Sequence, residues 1–364
     1  MESNNTIPSE QKIPISLLTG FLGSGKTTVL NHLLRQPAMA NVMVIINEFG
    51  EIGLDHELIE TATEDMILLQ SGCLCCTIRG DLADTLRTLF AKRERGEIPQ
   101  FNRVVIETTG LADPAPILQA LMTDTLVTTR FQLDGVIATV DALAGEETLD
   151  RHLEAVKQAA VSDRILLTKT DLVPAAKCQA VEGRLRALNP AAPIQRIRAG
   201  IVDPTQLFDI GLYNPATKSI DVQRWLQEED YGRTDREDHD GHRHDESYRH
   251  AGSSVNRHDD HIKAMCLVVE EPIPGEALDR WLGSLLQFRG PDLLRFKGII
   301  NVAELSGPIV LHGVQHVIYP PIALKSWPSN DRRTRIVFIT YDIDEKILRE
   351  SLTKLTNETT AAGR

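Results

Sequence analysis

The residues best suited to chemistry begin with a glycine-rich run at positions 20–28, Gly-Phe-Leu-Gly-Ser-Gly-Lys-Thr-Thr. Its spacing fits Gly-x-x-x-x-Gly-Lys-Ser/Thr, a loop whose backbone N–H groups surround a phosphate. In this pattern the lysine neutralises the β- and γ-phosphates and the next hydroxyl ligates Mg²⁺. A chance match is disfavoured because an apolar strand precedes the loop and a helical pattern follows it. We therefore predict nucleotide contacts from Gly20, Gly23, Ser24, Gly25, Lys26, Thr27 and Thr28.

A second phosphate-side element is predicted where the apolar run Arg103–Glu107 ends. A carboxylate at a strand end beside the phosphate loop can hold a water of Mg²⁺ and help orient the attacking water. We predict this catalytic role for Glu107, beside that of Lys26. The N–H of Gly110, three residues later, is predicted to contact the γ-phosphate. The alternative for Glu107 is a solvated carboxylate at the end of a strand.

The base is predicted to be recognised by the segment that follows the apolar run Arg164–Thr168. A carboxylate at Asp171 can accept the N1–H and N2 hydrogens of guanine, and adenine offers no such pair of donors. We therefore expect Thr168, Lys169 and Asp171 to contact the nucleotide and to favour GTP. The alternative is an ordinary surface lysine and aspartate after a strand.

Three of the five cysteines lie within four residues: Cys73, Cys75 and Cys76. Such thiols are expected to converge in a loop, which Gly72 permits, and thiolates favour Zn²⁺ or another thiophilic divalent ion. Three sulfurs leave a four-coordinate metal one ligand short. The fourth ligand could be Glu48 or Glu51, and Asp55 or a histidine stays open as well. Two alternatives stay open, namely small buried hydrophobes and a redox pair, although a bridge between adjacent cysteines would be strained.

Around these motifs, β-branched runs alternate with helical patterns, and this predicts an α/β fold: a P-loop NTPase domain with a mostly parallel sheet over residues 13–226. The predicted strands are Ile13–Thr19, Val42–Asn47, Met66–Gln70, Arg103–Glu107, Gly135–Asp141, Arg164–Thr168 and Ile194–Arg198. The predicted helices include Lys26–Arg35, Arg79–Arg95 and Ala175–Leu188.

The composition changes abruptly at residues 227–262, where charged residues, histidine, glycine and serine dominate. We predict a disordered linker there, and disordered ends at residues 1–12 and 357–364, because too little apolar surface is available for burial. The histidines of the predicted linker, among them His239, His242 and His244, are expected to be weak auxiliary metal ligands. The alternative is that the segment is an inert charged spacer. Ordered patterns resume at residues 263–356, where a helix, several strands and a final helix predict a smaller α+β C-terminal domain.

The net charge and the hydropathy of the chain argue against several classes of function. A net charge of −12 argues against non-specific binding to nucleic acid or to an anionic membrane. The first twelve residues lack the apolar core of a secretory signal, and no run approaches the roughly 20 apolar residues of a membrane helix. We therefore expect a cytoplasmic protein whose thiols stay reduced.

These motifs together resemble the CobW-type family of P-loop GTPases over nearly the whole chain. The resemblance is carried by the phosphate loop, the switch-like segment Asn47–Asp55, the Cys-x-Cys-Cys run, Glu107–Gly110, Thr168–Asp171 and Arg295–Gly298. Thr168 departs from the pattern because GTPases usually carry asparagine there. Asparagine can connect this loop to the phosphate loop by hydrogen bonds, and threonine can do so only partly. How strictly the protein prefers GTP to ATP therefore stays open.

The resemblance implies GTP hydrolysis with Mg²⁺, coupled to delivery of a metal, first of all zinc, to a client metalloprotein. Two other functions stay open: a nucleotide-gated metal store or sensor with little turnover, and a GTPase activator that inserts cobalt or iron into a metalloenzyme. A homo-oligomer stays open as well. A small-molecule kinase is disfavoured because no arginine-rich lid segment is visible in the sequence.

Overall fold

Two β-sheets organise the chain, one in each half. The computed structural model describes residues 12–47, 59–62, 66–69, 74–77, 81–208, 261–319 and 321–352. For residue 47 and the short strands at 59–62, 66–69 and 74–77, it describes the backbone alone. Residues 227–260 of the predicted linker, residues 1–11 and 357–364 of the predicted disordered ends, and Glu48, Glu51 and Cys73 lie outside these residues. The predicted linker ends too late, because a strand already begins at Ile262.

Among the described residues, nine strands form the first sheet in the order β3-β4-β5-β2-β6-β1-β7-β8-β9. They are β1 (Ile13–Gly20), β2 (Val42–Asn47), β3 (Ile59–Ala62), β4 (Met66–Leu69), β5 (Leu74–Thr77), β6 (Arg103–Thr108), β7 (Phe131–Asp141), β8 (Arg164–Thr168) and β9 (Ile194–Arg196). The described neighbours pair in parallel, apart from β4, which is antiparallel to β3 and to β5. The sheet is therefore mostly parallel, as predicted.

Helices cover both faces of this sheet. They are α1 (Lys26–Leu34), α2 (Leu82–Glu94), α3 (Pro114–Thr123), α4 (Thr125–Arg130), α5 (Gly145–Arg151), α6 (Leu153–Val161) and α7 (Ala175–Leu188). Successive residues of β1 face opposite ways, so Leu17 packs in the core that contains α2 and α3, and Leu18 packs in the core that contains α1. Because the central strands are buried on both faces, their sequences are continuous apolar runs.

The second sheet belongs to the C-terminal half and is antiparallel. Its described strands are β10 (Ile262–Val269), β11 (Leu293–Ile300), β12 (Ile309–Val314), β13 (Val317–Ile318), β14 (Ile322–Ala323) and β15 (Thr334–Tyr341), in the order β10-β15-β11-β12-β13 with β14 paired to β12. Helix α8 (Gly275–Arg289) and helix α9 (residues 345–352) pack on one face. Trp281 of α8 and Leu348 of α9 share that core with Phe338. This arrangement confirms the predicted α+β class.

The other face of the C-terminal sheet packs on the first domain through an ionic cluster. Arg295 and Lys297 of β11 both bond to Asp163, the lysine at 2.8 Å, and Arg295 also donates to the carbonyl of Val161. Burial alone would raise the pKa of Asp163, but these two cations and the N–H of Val136 hold it well below its usual range. The residues that the resemblance placed in the C-terminal domain therefore join the two domains.

Several element bounds differ from the prediction for local reasons. Helix α2 begins at Leu82 rather than Arg79, because Asp81 caps it by accepting from the N–H groups of Ala83 and Asp84. Strand β7 begins at Phe131 rather than Gly135, directly after the short helix α4 ends. None of the helices in the described part of the chain is long and apolar enough to span a membrane.

The prediction that the cysteines occupy a loop is wrong for two of the three. Cys75 and Cys76 belong to β5, which pairs in parallel with β2 and antiparallel with β4. One edge of β2 pairs with β6, and the backbone N–H and C=O groups on its other edge also need hydrogen-bond partners. Strand β5 provides these partners. Backbone pairing with two neighbours therefore decides the conformation of this run, which its thiols alone do not reveal.

Candidate functional site

The phosphate loop connects β1 to α1 in a conformation that depends on glycine. Gly20 has a φ of 144°, and a Cβ at this position would lie 2.2 Å from Oγ1 of Thr139 on β7. Gly25 caps α1 in the left-handed region with a φ of 98°. A side chain at either position would strain the turn or push β7 away, so both glycines are structural requirements of the loop.

Lys26 opens α1 and folds back over the loop. Its Nζ donates to the carbonyls of Gly20 at 2.9 Å and Phe21 at 3.2 Å, and the residue is only 6% exposed. The ammonium group is thus held at the loop that would surround a phosphate. A buried positive charge in this place interacts more strongly with an anion than one in open solvent.

Thr27 in the first turn of α1 lies next to Glu107 at the end of β6. The Thr27 hydroxyl donates to Oε1 of Glu107 at 3.1 Å, and Glu107 is 1% exposed at the carboxyl end of β6. Beside them, Oγ1 of Thr108 donates to Oγ1 of Thr19 at 2.9 Å and ties β6 to β1. The two oxygen ligands that the sequence predicts for Mg²⁺ are therefore neighbours.

Gly110 lies directly against the phosphate loop. A Cβ on this residue would lie 2.6 Å from the backbone nitrogen of Leu22, so only glycine fits without moving the loop. On its other side, the buried side chain of Gln158 donates to the Gly110 carbonyl at 3.1 Å. The segment predicted to contact the γ-phosphate is therefore packed onto the phosphate loop itself.

The base-recognition segment is also tied to the phosphate loop. Oγ1 of Thr168 donates to the carbonyl of Ser24 at 2.6 Å, so threonine makes one of the contacts expected of asparagine here. Lys169 has a left-handed φ of 54°, and its Nζ contacts Oδ2 of Asp141 at 2.5 Å. Asp171 is exposed, and its carboxylate is accessible to a ligand.

The cysteine strand lies two strands away from the strand that carries Glu107. Ile45 of β2 pairs with Cys76 on one side and with Ile106 on the other. Neighbouring strands are about 4.8 Å apart, so the Cys76 backbone lies roughly 10 Å from the backbone next to Glu107. Within the ranges that the structure describes, no group of three or more His, Cys, Asp or Glu side chains could hold a metal ion.

Of the other predicted metal ligands, Cys73, Glu48, Glu51, His239, His242 and His244 lie outside the described residues. The two isolated cysteines are Cys178, which is buried, and Cys266, which is partly buried. Sequence analysis missed three residues that shape the nucleotide site: Thr139, Asp141 and Gln158. The sole hint for Gln158 is a polar residue on the otherwise apolar face of α6, which also buries Ala155 and Ala159.

Two family models match the chain in succession. The model of the CobW/HypB/UreG nucleotide-binding domain matches residues 14–196, which include the phosphate loop, Glu107, Gly110 and Asp171. The model of the C-terminal domain of the cobalamin synthesis protein CobW matches residues 262–356. Together they match both sheets.

Curated relatives match over most of the chain. The zinc chaperone YjiA of Escherichia coli is 32% identical over 94% of this chain and 98% of its own length. The zinc chaperone CobW of a Sinorhizobium species is 28% identical, with 95% and 98% covered. A crystal structure of Zn(II)-bound YjiA GTPase superposes with a TM-score of 0.71 at 30% identity, covering 95% of this chain and 99% of that one. The chain belongs to the CobW/HypB/UreG family and carries both its nucleotide-binding domain and the CobW C-terminal domain.

Proposed function

We propose that this protein is a GTP-hydrolysing metallochaperone that delivers zinc to a client metalloprotein. The family supplies the nucleotide chemistry, and the relatives named zinc chaperones point to the cargo. A further relative, from Dictyostelium discoideum, is named a zinc-regulated GTPase metalloprotein activator and is 27% identical over 90% of this chain. The proposal places the protein in the cytoplasm, where the thiols of a zinc site stay reduced.

One observation carries the proposal: the cysteine strand and the nucleotide site share one end of one sheet. Cys76 and Ile106 are both in register with Ile45, and Glu107 follows Ile106 directly. Strands β5 and β6 are parallel to β2, so their carboxyl ends point the same way. We propose that a change of nucleotide acts on the metal site over this short distance, through the switch-like segment Glu48–Asp55.

For the nucleotide, we propose that Mg²⁺ is held by Thr27 and, directly or through water, by Glu107. Hydroxyl and carboxylate oxygens are donors that Mg²⁺ prefers. Oγ1 of Thr27 and Oε1 of Glu107, which lie 3.1 Å apart, would supply two of them. When bound, the ion neutralises charge on the β- and γ-phosphates. Lys26 adds a second positive charge at the loop.

For zinc, we propose that Cys73, Cys75 and Cys76 supply the sulfur ligands and that Glu48 or Glu51 completes the site in one nucleotide state. Three protein sulfurs with an exchangeable fourth ligand suit a cargo site better than a closed four-sulfur site does. The histidines of segment 227–262 are proposed as weak auxiliary ligands that collect metal.

The decisive experiment compares zinc affinity in the presence of a non-hydrolysable GTP analogue and of GDP. We expect the two affinities to differ, since nucleotide-dependent release is what distinguishes a chaperone from a store. Identical affinities would contradict the proposed coupling. Phosphate release measured with and without zinc separates the chaperone from a sensor with little turnover.

A cysteine variant tests the site itself. Replacing Cys73, Cys75 and Cys76 together by serine is expected to remove most of the bound zinc, because serine is a poor ligand for a soft ion. GDP binding should be unchanged. Cys266→Ser is the matched control, since this partly buried cysteine lies in the C-terminal sheet. Equal zinc content in the triple variant and the control would refute the assignment of the ligands.

A further inference from the structure

Helix α6 places a buried glutamine beside the loop that carries Gly110. Gln158 is 1% exposed, and its Nε2 donates to the carbonyls of Gly110 at 3.1 Å and Ala112 at 3.0 Å. Because a carbonyl can only accept, both amide hydrogens must face these two carbonyls, and this fixes the orientation of the amide. Among the described residues, none donates to its buried Oε1.

The loop is held from its other side as well. Gly110 contacts the backbone of Leu22 in the phosphate loop, and the N–H of Ala112 closes a turn by donating to the carbonyl of Thr109 at 3.0 Å. The preceding residue of α6, Lys157, pairs with Asp113 at 2.7 Å. The turn at residues 109–112 is therefore clamped between the phosphate loop and α6.

Glycine has the widest choice of backbone conformations, so a free Gly110 would sample many directions for its N–H. Anchoring its carbonyl to Gln158 and packing its α-carbon on Leu22 removes that freedom before a nucleotide binds. Preorganised donors of this kind stabilise developing charge without reorganisation during the reaction.

We infer that Gln158 is a positioning residue for GTP hydrolysis, which holds Gly110 in the conformation that meets the γ-phosphate. The inference rests on the proposed GTPase function. Gln158 acts through the backbone of Gly110 and not on the nucleotide. Because GDP has no γ-phosphate, losing this anchor should affect reactions of GTP and leave GDP binding alone.

A purely structural role is the rival explanation, and the chain offers a matched control for it. Asn189 is also a buried amide, 2% exposed, and it also donates to backbone carbonyls at α6. Its Nδ2 donates to the carbonyls of Ala159, Ala160 and Ser162 at 2.9 to 3.1 Å, at the C-terminal end of the helix, and none of these bonds goes to the loop at residues 109–112. Loss of either amide should weaken the fold by a similar mechanism, but only Gln158 touches the loop.

The test compares Gln158→Met with Asn189→Leu, both of which replace a buried amide by an apolar group of similar size. Titration with GDP gives the fraction of folded sites and the GDP affinity, and the rate of phosphate release is divided by that fraction. A partly unfolded sample therefore still yields a rate per folded molecule. For Gln158→Met we expect kcat to fall roughly tenfold or more, since two buried carbonyls lose their donor, with unchanged GDP affinity.

For Asn189→Leu we expect a lower melting temperature with an unchanged rate per folded site. Gln158→Glu serves as a second variant that keeps the size of the side chain. It should also lose activity, since a protonated carboxyl can donate to only one of the two carbonyls and an ionised one to neither.

The inference is overturned if Gln158→Met and Gln158→Glu keep the wild-type kcat, or if GDP affinity falls in parallel with kcat. A wild-type protein that releases no phosphate from GTP would instead contradict the proposed function, so the two failures are distinguishable.

Discussion

The two ends of the nucleotide site are built in opposite ways. At the phosphate end, Lys26 and Glu107 are almost fully buried and hydrogen-bonded to their surroundings, whereas Asp171 at the base end is exposed. Charges in a buried site interact strongly with a bound ligand, and the surrounding groups need little rearrangement when it binds. At an exposed carboxylate, water competes with the ligand for each hydrogen bond. Under the proposed function, the phosphate end is organised for chemistry and the base end for a more modest selection between nucleotides.

The largest effect is expected from Lys26→Met, which keeps the aliphatic stem and removes the buried charge. We expect GTP hydrolysis, measured as kcat/KM by phosphate release, to fall about 10³-fold, the upper range for loss of one stabilising group in a preorganised site. Lys92→Met on α2 is the control, because this lysine lies in the last turn of a helix remote from the loop. A small loss for Lys26→Met would mean that burial at the phosphate end has little catalytic value.

An intermediate effect is expected from Asp171→Asn at the exposed end. Asparagine keeps one acceptor oxygen but loses the charge. Losing one of the two proposed hydrogen bonds to guanine, worth roughly 1.5–3 kcal/mol, should reduce the preference for GTP over ATP by about 10- to 10²-fold. Competition of ATP and GTP for one labelled nucleotide measures this ratio. Asp203→Asn, at the start of a short helical turn, is a control at an exposed aspartate elsewhere. An unchanged ratio would show that guanine is recognised by other groups.

The smallest effect is expected from Thr168→Val, which removes the hydrogen bond between the two ends. The hydroxyl donates to the Ser24 carbonyl at 2.6 Å. Its loss should weaken GTP and GDP binding by up to about tenfold, the value of one buried hydrogen bond. Thr168→Ser retains the hydroxyl and should bind as the wild type does. If both variants bind equally well, the two ends are independent of each other.

Much of the first domain could be predicted from sequence because its signals are local. Strand β2 and helix α7 have the predicted bounds, and the run from Gly20 to Thr27 contains most of the phosphate site within eight residues. The contacts that the sequence did not reveal join distant positions. Gln158 and Gly110 are 48 residues apart, and Arg295 and Asp163 are 132 apart. Such pairs depend on how helices and sheets dock, which periodicity and motif spacing do not encode.

The cysteine run shows a different limit. Its chemistry suggested a loop, but pairing with β2 and β4 makes a strand of Leu74–Thr77. A backbone next to an unpaired strand edge gains hydrogen bonds whatever its side chains can bind. The residue types therefore indicate which atoms could bind a metal, but pairing with neighbouring strands determines the backbone conformation of the segment that carries them.

The ionic cluster at the domain junction has a consequence for how the molecule can move. Replacing Arg295 or Lys297 by an apolar residue would leave the buried Asp163 carboxylate without one of its two cations, a loss of about 3–5 kcal/mol. Because the pKa of Asp163 lies below its usual range, the carboxylate stays charged at neutral pH and the attraction persists there. Arg295 and Lys297 therefore hold β11 against the nucleotide-binding domain, and a force applied to the C-terminal sheet would be transmitted to that domain through Asp163.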